Sequence, residues 1–168
     1  MRNSSSVAND VRVATIGFTK KTAQRFFELL RGSGARRVVD VRLNNASQLA
    51  GFAKKEDLTW LLDQVCGMGY VHMPSLAPTK ELLRGYREGS IDWDAYETSF
   101  MNLMRARRVE DTTPKDLLDG GCLLCSEDQP HHCHRRLVAE YLNDHWGGIE
   151  VEHLGAVPIP ETQRGRNE

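Results

Sequence analysis

Residues 11–41 read VRVATIGFTKKTAQRFFELLRGSGARRVVDV, and this stretch decides the fold. The apolar run over 11–17 predicts a strand that ends at a glycine, and apolar residues at helical spacing predict a helix over 22–30. Three valines within 38–41 then predict a second, buried strand. A strand, a helix and another strand in this order are typical of a parallel sheet.

The same alternation continues to residue 154. It predicts a helix from Leu58 to Val65, a strand over 70–73, a helical region from 79 to about 108 that is interrupted near Gly89, a strand over 121–125, a last helix after residue 132 and a fifth strand over 149–154. We therefore expect an α/β fold, a single three-layer domain with a mostly parallel sheet flanked by helices. The domain is expected to span residues 11–156, with flexible ends at 1–10 and 157–168.

The composition fits one ordinary globular domain, with 168 residues of which 40% are hydrophobic and 27% are charged. The 22 Lys and Arg residues against 23 Asp and Glu give a net charge of -1, so the basic balance of a dedicated nucleic-acid binder is missing. No apolar run reaches the roughly 18 residues of a membrane span, and the first residues lack the apolar core of a secretory signal. We expect a cytoplasmic protein with no membrane partner.

Polar residues lie at the ends of three predicted strands, the first of which ends in Thr15-Ile16-Gly17-Phe18-Thr19. Asp40 and Arg42 come two residues apart, so their side chains should point to the same side. Cys125, Ser126 and Glu127 follow the fourth strand. Since ligands of parallel sheets bind beyond the carboxyl ends of the strands, this edge is the expected site. Asp40 and Arg42 either flank a binding crevice there or form an ion pair that orders a loop.

Residues 123–136, LLCSEDQPHHCHRR, carry three of the six histidines and two of the four cysteines. Cys133, His134 and Arg135 should occupy the first turn of the last helix, where free backbone N–H groups favour an anion and lower the pKa of a thiol. This position predicts a Cys133 thiolate nucleophile with His134 as its electrostatic partner.

The remaining roles follow from charge and hydrogen-bonding capacity. Glu127 or Asp40 is the predicted general acid or base, and Arg42 and Arg135 are predicted to hold an anionic small molecule or a nucleotide moiety. The predicted substrate-binding hydroxyl groups belong to Thr15, Ser47 and Ser126. No cofactor follows from these patterns.

Other interpretations of the cysteines stay open at this point. Cys133 is equally compatible with a small buried core residue. Cys125, Cys133 and a histidine such as His131 would suit a metal-dependent enzyme, and a Cys125–Cys133 disulfide would give a redox switch. Cys122 and Cys125 are not expected to chelate together, because residues three apart on a strand face opposite sides.

A different class of function is a module that binds nucleic acid or a protein partner. Its basic face would consist of Arg105, Arg107, Arg108, Arg135 and Arg136. Several common enzyme classes are excluded, because the chain has no Gly-rich phosphate loop, no Gly-x-Ser-x-Gly elbow and no His-Glu-x-x-His helix.

Four motifs together resemble the family called domain of unknown function 488. They are Thr15-Ile16-Gly17, Asp40-Val41-Arg42, Leu76-Ala77-Pro78-Thr79 and Cys125-x-Glu127-x-x-Pro130-x-x-Cys133-His134-Arg135, with Ser47 and Phe52 in addition. The resemblance covers about residues 11–154 and implies a small α/β domain in which the strand-end motifs line one pocket. It implies no particular reaction. The chain departs from the usual pattern at Phe18, where a histidine is common, and at Asn45, where a proline is common.

Overall fold

The structure, a computed structural model, describes residues 11–46 and 50–156. Its five strands form one parallel sheet in the order β3-β2-β4-β1-β5. They are β1 (Val11–Gly17), β2 (Arg37–Asp40), β3 (Gly69–His72), β4 (Gly121–Cys125) and β5 (Ile149–His153). The predicted fold class is confirmed. The predictions for 1–10, Ser47 and 157–168 fall outside the described residues.

Helices connect the strands. Within the described ranges they are α1 (Ala23–Ser33), α2 (Lys55–Leu61), α3 (Lys80–Arg87), α4 (Trp93–Arg107), α5 (Val109–Thr112), α6 (Lys115–Leu118) and α7 (His134–Trp146). A π-helical turn over Leu62–Cys66 extends α2 to Gly67, close to the predicted helix end. The region predicted as interrupted near Gly89 divides into α3 and α4 there. No helix in the described part of the chain is long and apolar enough to cross a membrane.

Local sequence explains the bounds of α1. The Thr22 side chain accepts a hydrogen bond from the Arg25 backbone N–H at 3.1 Å, which satisfies one of the free donors at the helix start. Gly34 ends the helix in the left-handed conformation with φ 74°, which glycine adopts without steric penalty.

Each face of the sheet carries its own apolar core, so the domain has three layers. All five residues of β4 are buried, and their side chains alternate between the two cores. Cys122 and Leu124 pack with residues of α1 and α2, whereas Leu123 and Cys125 pack with residues of α4 and α7. The prediction that Cys122 and Cys125 face opposite sides is confirmed.

The carboxyl ends of β1, β2 and β4 meet in the middle of the sheet. Gly17 is in register with Cys125, and Asp40 is in register with Leu124. The polar residues that follow these strands are therefore neighbours in space, although they are far apart in sequence. α7 begins beside them and adds its amino-terminal turn to the same edge.

Candidate functional site

A pocket of about 160 Å³ opens at this edge of the sheet. We call it the strand-end pocket. It is lined by Arg42, Leu43, Asn44, Pro78, Leu83, Tyr86, Arg87, Trp93, Tyr96, Cys125, Ser126, Glu127, His132, Cys133 and His134. Pockets that enclose drug-sized ligands usually measure roughly 300–1,000 Å³, so this pocket suits a smaller occupant.

Arg42 and Asp40 form a buried, two-pronged ion pair. The Arg42 Nε donates to Asp40 Oδ1 at 2.9 Å, and Nη2 donates to Oδ2 at 2.8 Å. The Tyr70 hydroxyl also donates to Oδ2, which leaves Asp40 fully occupied and out of contact with the pocket. Burial and the bond to Asp40 raise the pKa of Tyr70 to about 12. This arrangement suits Asp40 for positioning Arg42 rather than for accepting a substrate proton.

The third nitrogen of the Arg42 guanidinium has no hydrogen-bond partner among the described residues. Arg42 is only 3% exposed, and its Nη1 is buried. An unpaired donor in such a position is unfavourable unless a ligand binds it. The guanidinium also lies over the Phe18 ring, with Cζ 5.5 Å from the centroid. The ring and the ion pair therefore fix the orientation of the open donor.

Arg87, in the last turn of α3, is a second cation in the pocket lining. Sequence reasoning missed it, because an arginine near a helix carboxyl terminus is usually a solvated residue that complements the dipole. Within the described part of the chain its guanidinium has no hydrogen bond or ion pair. The pocket thus carries two arginine groups with donors to spare.

The cysteine pair borders the same pocket. The structure links Cys125 and Cys133 as a disulfide, which was one of the predicted alternatives. Cys133 is the residue immediately before α7, one position ahead of the first turn in which it was predicted, and its side chain makes no capping hydrogen bond. Both residues are almost completely buried, at 1% and 3% exposed.

His134 is the first residue of α7 and is buried. Its Nε2 lies 2.7 Å from the Val41 carbonyl oxygen, so this nitrogen carries the proton and donates it. Burial, opposed only in part by this hydrogen bond, lowers the pKa of His134 to about 4. The ring is neutral near pH 7, which differs from the expectation of a cation beside a Cys133 thiolate.

Among the described residues, the structure brings together one set of side chains with metal-ligating atoms, and its histidine is His134 rather than the example His131. One ligand atom each of Cys125, Cys133 and His134 lies within 4.8 Å of the others, and all three residues are buried. His131, the example chosen from the sequence, is not part of this group; its backbone carbonyl oxygen accepts a hydrogen bond from Arg136.

Arg135 lies behind the pocket rather than in it. Its guanidinium donates to Thr15 Oγ1 at 3.2 Å, to Cys125 Sγ at 3.2 Å and to the backbone carbonyl oxygens of Glu127 and Asp128. Burial lowers the pKa of Arg135 to about 10, so the group stays charged near neutral pH. Since the chain itself takes up these donors, the geometry favours a positioning role over the predicted contact with an anion.

Gly17 makes the Arg135 contacts possible. A Cβ atom at Gly17 would lie 1.5 Å from the Glu127 carbonyl oxygen, so any side chain would push this oxygen away. The glycine of the first motif is therefore explained by the close approach of two backbones at the strand ends.

Thr15 connects Arg135 to a second histidine. Because Thr15 Oγ1 accepts from Arg135, its own proton is available to His153 Nδ1, which lies 2.6 Å away. Burial and the positive charge of Arg135 lower the pKa of His153 to about 4. Thr15, predicted to bind substrate, is fully buried and belongs to this hydrogen-bond chain.

One wall of the pocket is aromatic. Trp93 stacks against His132 at 4.8 Å and against Tyr96 at 5.2 Å between ring centroids, and Tyr86 contacts both Trp93 and Tyr96. Aromatic residues that recur at helical spacing usually belong to the core. Tyr96 is indeed buried, but Trp93 lies at the helix start, where the core ends and the pocket begins.

The structure thus divides the predicted site residues into two groups. Arg42, Ser126, Glu127, Cys133 and His134 line the pocket together with Cys125. Asp40, Thr15 and Arg135 support it from behind.

The model of the family described as Domain of unknown function DUF488 matches residues 22–142, which is more than half of the chain. The chain belongs to the DUF488 family. No curated protein and no solved structure shows significant similarity to it. The Cys125 to Arg135 motif and the Asp40-Val41-Arg42 motif fall inside the matched DUF488 region, whereas Thr15-Ile16-Gly17 precedes it.

Of the two departures from the usual DUF488 pattern, Phe18 contacts the Asp40–Arg42 pair directly and Asn45 is connected to it through Tyr70. Phe18 lies against the Arg42 guanidinium, and Asn45 Nδ2 donates to the Tyr70 hydroxyl at 2.9 Å. That hydroxyl in turn donates to Asp40. In this DUF488 member an aromatic ring and an amide therefore help to hold the pair in place.

Proposed function

We propose that the chain binds a small anionic molecule in the strand-end pocket. The observation that carries the proposal is the buried Nη1 of Arg42, which has no hydrogen-bond partner among the described residues and belongs to a side chain that lines the pocket. Arg87 supplies a second positive charge, and the backbone N–H groups at the start of α7 point to the same edge. The nucleotide moiety among the predicted ligands enters with its phosphate group, because the pocket is small.

The binding geometry is set before the ligand arrives. Asp40 fixes two of the Arg42 nitrogens, Tyr70 fixes Asp40, and Phe18 supports the guanidinium plane. Little side-chain entropy is then lost when an anion accepts the last donor, which favours affinity for a small ligand.

Calorimetric titration with AMP and with inorganic phosphate tests this proposal, with adenosine as the uncharged control. We expect AMP and phosphate to bind and adenosine to bind weakly or not at all. Arg87→Ala should weaken AMP binding about tenfold, which corresponds to about 1.4 kcal/mol. Arg84→Ala is the matched control, since Arg84 is an exposed arginine of the same helix outside the pocket lining.

Two results would contradict anion binding. One is equal affinity for AMP and adenosine, and the other is an unchanged affinity in Arg87→Ala. Arg42→Lys gives an independent measurement, because it keeps a cation beside Asp40 but removes the open Nη1. It should weaken phosphate binding more than Arg87→Ala does.

For the chemistry we infer that Cys133, in the reduced and metal-free chain, is a thiolate nucleophile. Two observations support this inference. Cys133 lies directly before α7, and it lines the pocket together with Arg42. Glu127 is exposed and lines the pocket, so it is the carboxyl group positioned to exchange a proton with a bound molecule.

Alkylation of the reduced, chelator-treated chain at pH 7 tests the nucleophile. With iodoacetamide and peptide mass spectrometry, Cys133 should react faster than Cys66, whose thiol pKa is raised chiefly by burial. Saturating phosphate should slow the reaction at Cys133 and leave Cys66 unaffected. A Cys133 that reacts only after unfolding would instead be a core residue.

The arginine face predicted for nucleic acid gains no support from the contacts of its members. Arg107 donates to the carbonyl oxygens of Ser75 and Ala77, Arg108 pairs with Asp111, and Arg136 pairs with Glu140. Arg135 is buried, so it cannot join such a face.

A further inference from the structure

We propose that the reduced chain binds one zinc-like divalent cation through Cys125, Cys133 and His134, at the edge of the strand-end pocket. The three ligand atoms lie within 4.8 Å of one another, and all three residues are buried. Thiolate and imidazole are the ligands that zinc prefers, and two cysteines with one histidine form a known type of three-residue zinc set.

The orientation of His134 fits this role. Because Nε2 donates to the Val41 carbonyl oxygen at 2.7 Å, Nδ1 is the nitrogen with a lone pair for the ion. Histidines that bind metals almost always donate their other ring N–H to a carbonyl or carboxylate oxygen, which fixes the ring. Here the fixing oxygen belongs to Val41, in the middle of the Asp40-Val41-Arg42 motif.

The backbone explains how two consecutive residues reach one ion. Cys133 is extended, with φ -142° and ψ 139°, and His134 is the first helical residue. Adjacent side chains diverge when both residues lie within a helix, but this does not apply across the boundary between Cys133 and His134. The change of backbone conformation turns both side chains toward Cys125.

Charge also favours thiolates at this place. Arg135 is fully buried, and no carboxylate of the described residues lies within ion-pair distance of it. Buried charges are normally paired, and the acceptors of its guanidinium are otherwise neutral oxygens of Thr15, Glu127 and Asp128. The Cys125 Sγ lies 3.2 Å from Nη1, so in the reduced chain a thiolate at Cys125 would supply a negative charge next to Arg135.

The spacing of the two cysteines suits ligands that share an ion. Their Cα atoms lie 7.5 Å apart. Disulfides usually have Cα separations of about 4.4–6.8 Å, whereas two sulfurs bound to one ion need no bond between them. We therefore regard the ion-bound form as the state of the reduced protein and the disulfide as its oxidised counterpart.

A tetrahedral ion with three protein ligands keeps one position for an exogenous ligand. All three ligand residues line the strand-end pocket, as do Arg42 and Arg87. A carboxylate or phosphate could then contact both the ion and the open Arg42 donor. The metal site deepens the proposed anion binding in this way, but its three ligands do not depend on the anion. When the ion is bound, Cys133 is a ligand, and the nucleophile belongs to the ion-free form.

Zinc titration of the reduced, full-length chain tests the proposal, with a chromophoric chelator as competitor. We expect one zinc ion per chain. Cys125→Ser, Cys133→Ser and His134→Ala should each lower zinc affinity by about a hundredfold or more. His131→Ala and Cys66→Ser are the matched controls and should leave affinity unchanged. Cobalt substitution should add a thiolate-to-metal charge-transfer band that is weaker in Cys133→Ser, because one thiolate ligand is removed.

A second measurement keeps the test independent of folding defects in the variants. In the unaltered reduced chain, zinc should protect Cys125 and Cys133 from alkylation, and it should leave Cys66 reactive. Failure to bind stoichiometric zinc, or an equal loss of affinity in His131→Ala and His134→Ala, would overturn the metal site. Arg87→Ala separates the two proposals, because it should weaken phosphate binding while zinc affinity stays the same.

Discussion

Arg42 has a structural role in the ion pair with Asp40 and also lines the candidate site. The sequence indicated that the two side chains share a side, and it left open whether they flank a crevice or form an ion pair. The structure shows an ion pair at the pocket. Two Arg42 nitrogens donate to Asp40, whereas Nη1 has no partner among the described residues, and the Arg42 side chain lines the pocket. A planar guanidinium with a fixed fork of donors can do this, and a lysine cannot.

Tyr70→Phe should lower the free energy of unfolding by about 1.5–3 kcal/mol, the usual contribution of a hydrogen bond to a charged group. The phenylalanine would leave Asp40 with Arg42 as its remaining partner, because the Tyr70 hydroxyl bond to Oδ2 is lost. Urea unfolding measures the change. Tyr86→Phe is the matched control, since no partner for its hydroxyl lies among the described residues; an equal effect of the two changes would contradict this account.

Gly17→Ala should destabilise the chain by about 1–3 kcal/mol, the typical effect of overpacking, because the new Cβ would displace the Glu127 carbonyl oxygen. The same displacement should loosen Arg135 and weaken zinc binding. Gly32→Ala is the control: nothing lies within 4 Å of a Cβ there, and the position is helical, so we expect a gain of about 0.5–1 kcal/mol. Thermal unfolding and zinc titration of both variants check this pair of expectations.

At the residue scale the sequence predicted the position of a site residue best where a motif lies at the end of a helix or strand. The place of Cys133 and His134 at the start of α7 followed from Pro130 and from the apolar stripe beyond it. The choice among His131, His132 and His134 could not follow, because it depends on which histidine ring meets the Val41 carbonyl oxygen just after β2. Arg87 and Trp93 were hidden for a similar reason, since their contacts arise only when α3 and α4 pack beside the strand ends.

At the scale of elements, α7 contributes most to the site. It carries His134 and Arg135 in its first turn, directly after Cys133. Its far end is anchored through Tyr141, whose hydroxyl donates to Glu110 at 2.7 Å. Trp146 Nε1 also donates to the Glu110 carbonyl oxygen. These contacts bind α7 to α5, so the position of its amino terminus does not depend on the Cys125–Cys133 link alone.

Cys133→Ser should therefore fold, and in reductant with chelator it should be more stable than Cys133→Ala by about 0.5–2 kcal/mol. Serine is a preferred residue before a helix, because its hydroxyl accepts a hydrogen bond from a free backbone N–H of the first turn. The parent cysteine makes no such bond. Denaturant unfolding of the two variants gives the difference, and equal stability would show that this start of α7 lacks room for the capping geometry.

At the scale of the whole molecule, the order of strands was not predictable from the sequence, although their number and direction were. Sequence patterns identified five strands and their parallel arrangement. They could not place β4 between β1 and β2, because this order depends on long-range pairing. Because β4 lies between β1 and β2, Cys125 lies between Gly17 and Asp40, and the residues that line the pocket are close together.

A histidine whose pKa is lowered in the folded chain should make the whole domain less stable at acidic pH, and His153 is such a residue. The pKa of His153 is about 4 in the folded chain, below its ordinary value of 6.5, because of burial and the charge of Arg135. Between pH 6.5 and 4 the unfolded chain therefore binds a proton that the folded chain does not, so stability falls as the pH drops through this range. Above pH 6.5 neither state binds this proton, so the contribution of His153 to stability is then fully present.

His153→Gln should reduce this dependence by up to one proton per molecule, while its side-chain oxygen can still accept the hydrogen bond from Thr15. The measurement is the midpoint of urea unfolding at a series of pH values from 7 to 4, in chelator so that metal binding does not contribute. His132→Gln provides the control, because His132 is exposed and its surroundings change less on unfolding. Parallel curves for the parent and His153→Gln would mean that His153 takes up its proton equally in both states, and the chain from His153 through Thr15 to Arg135 would then have no part in acid stability.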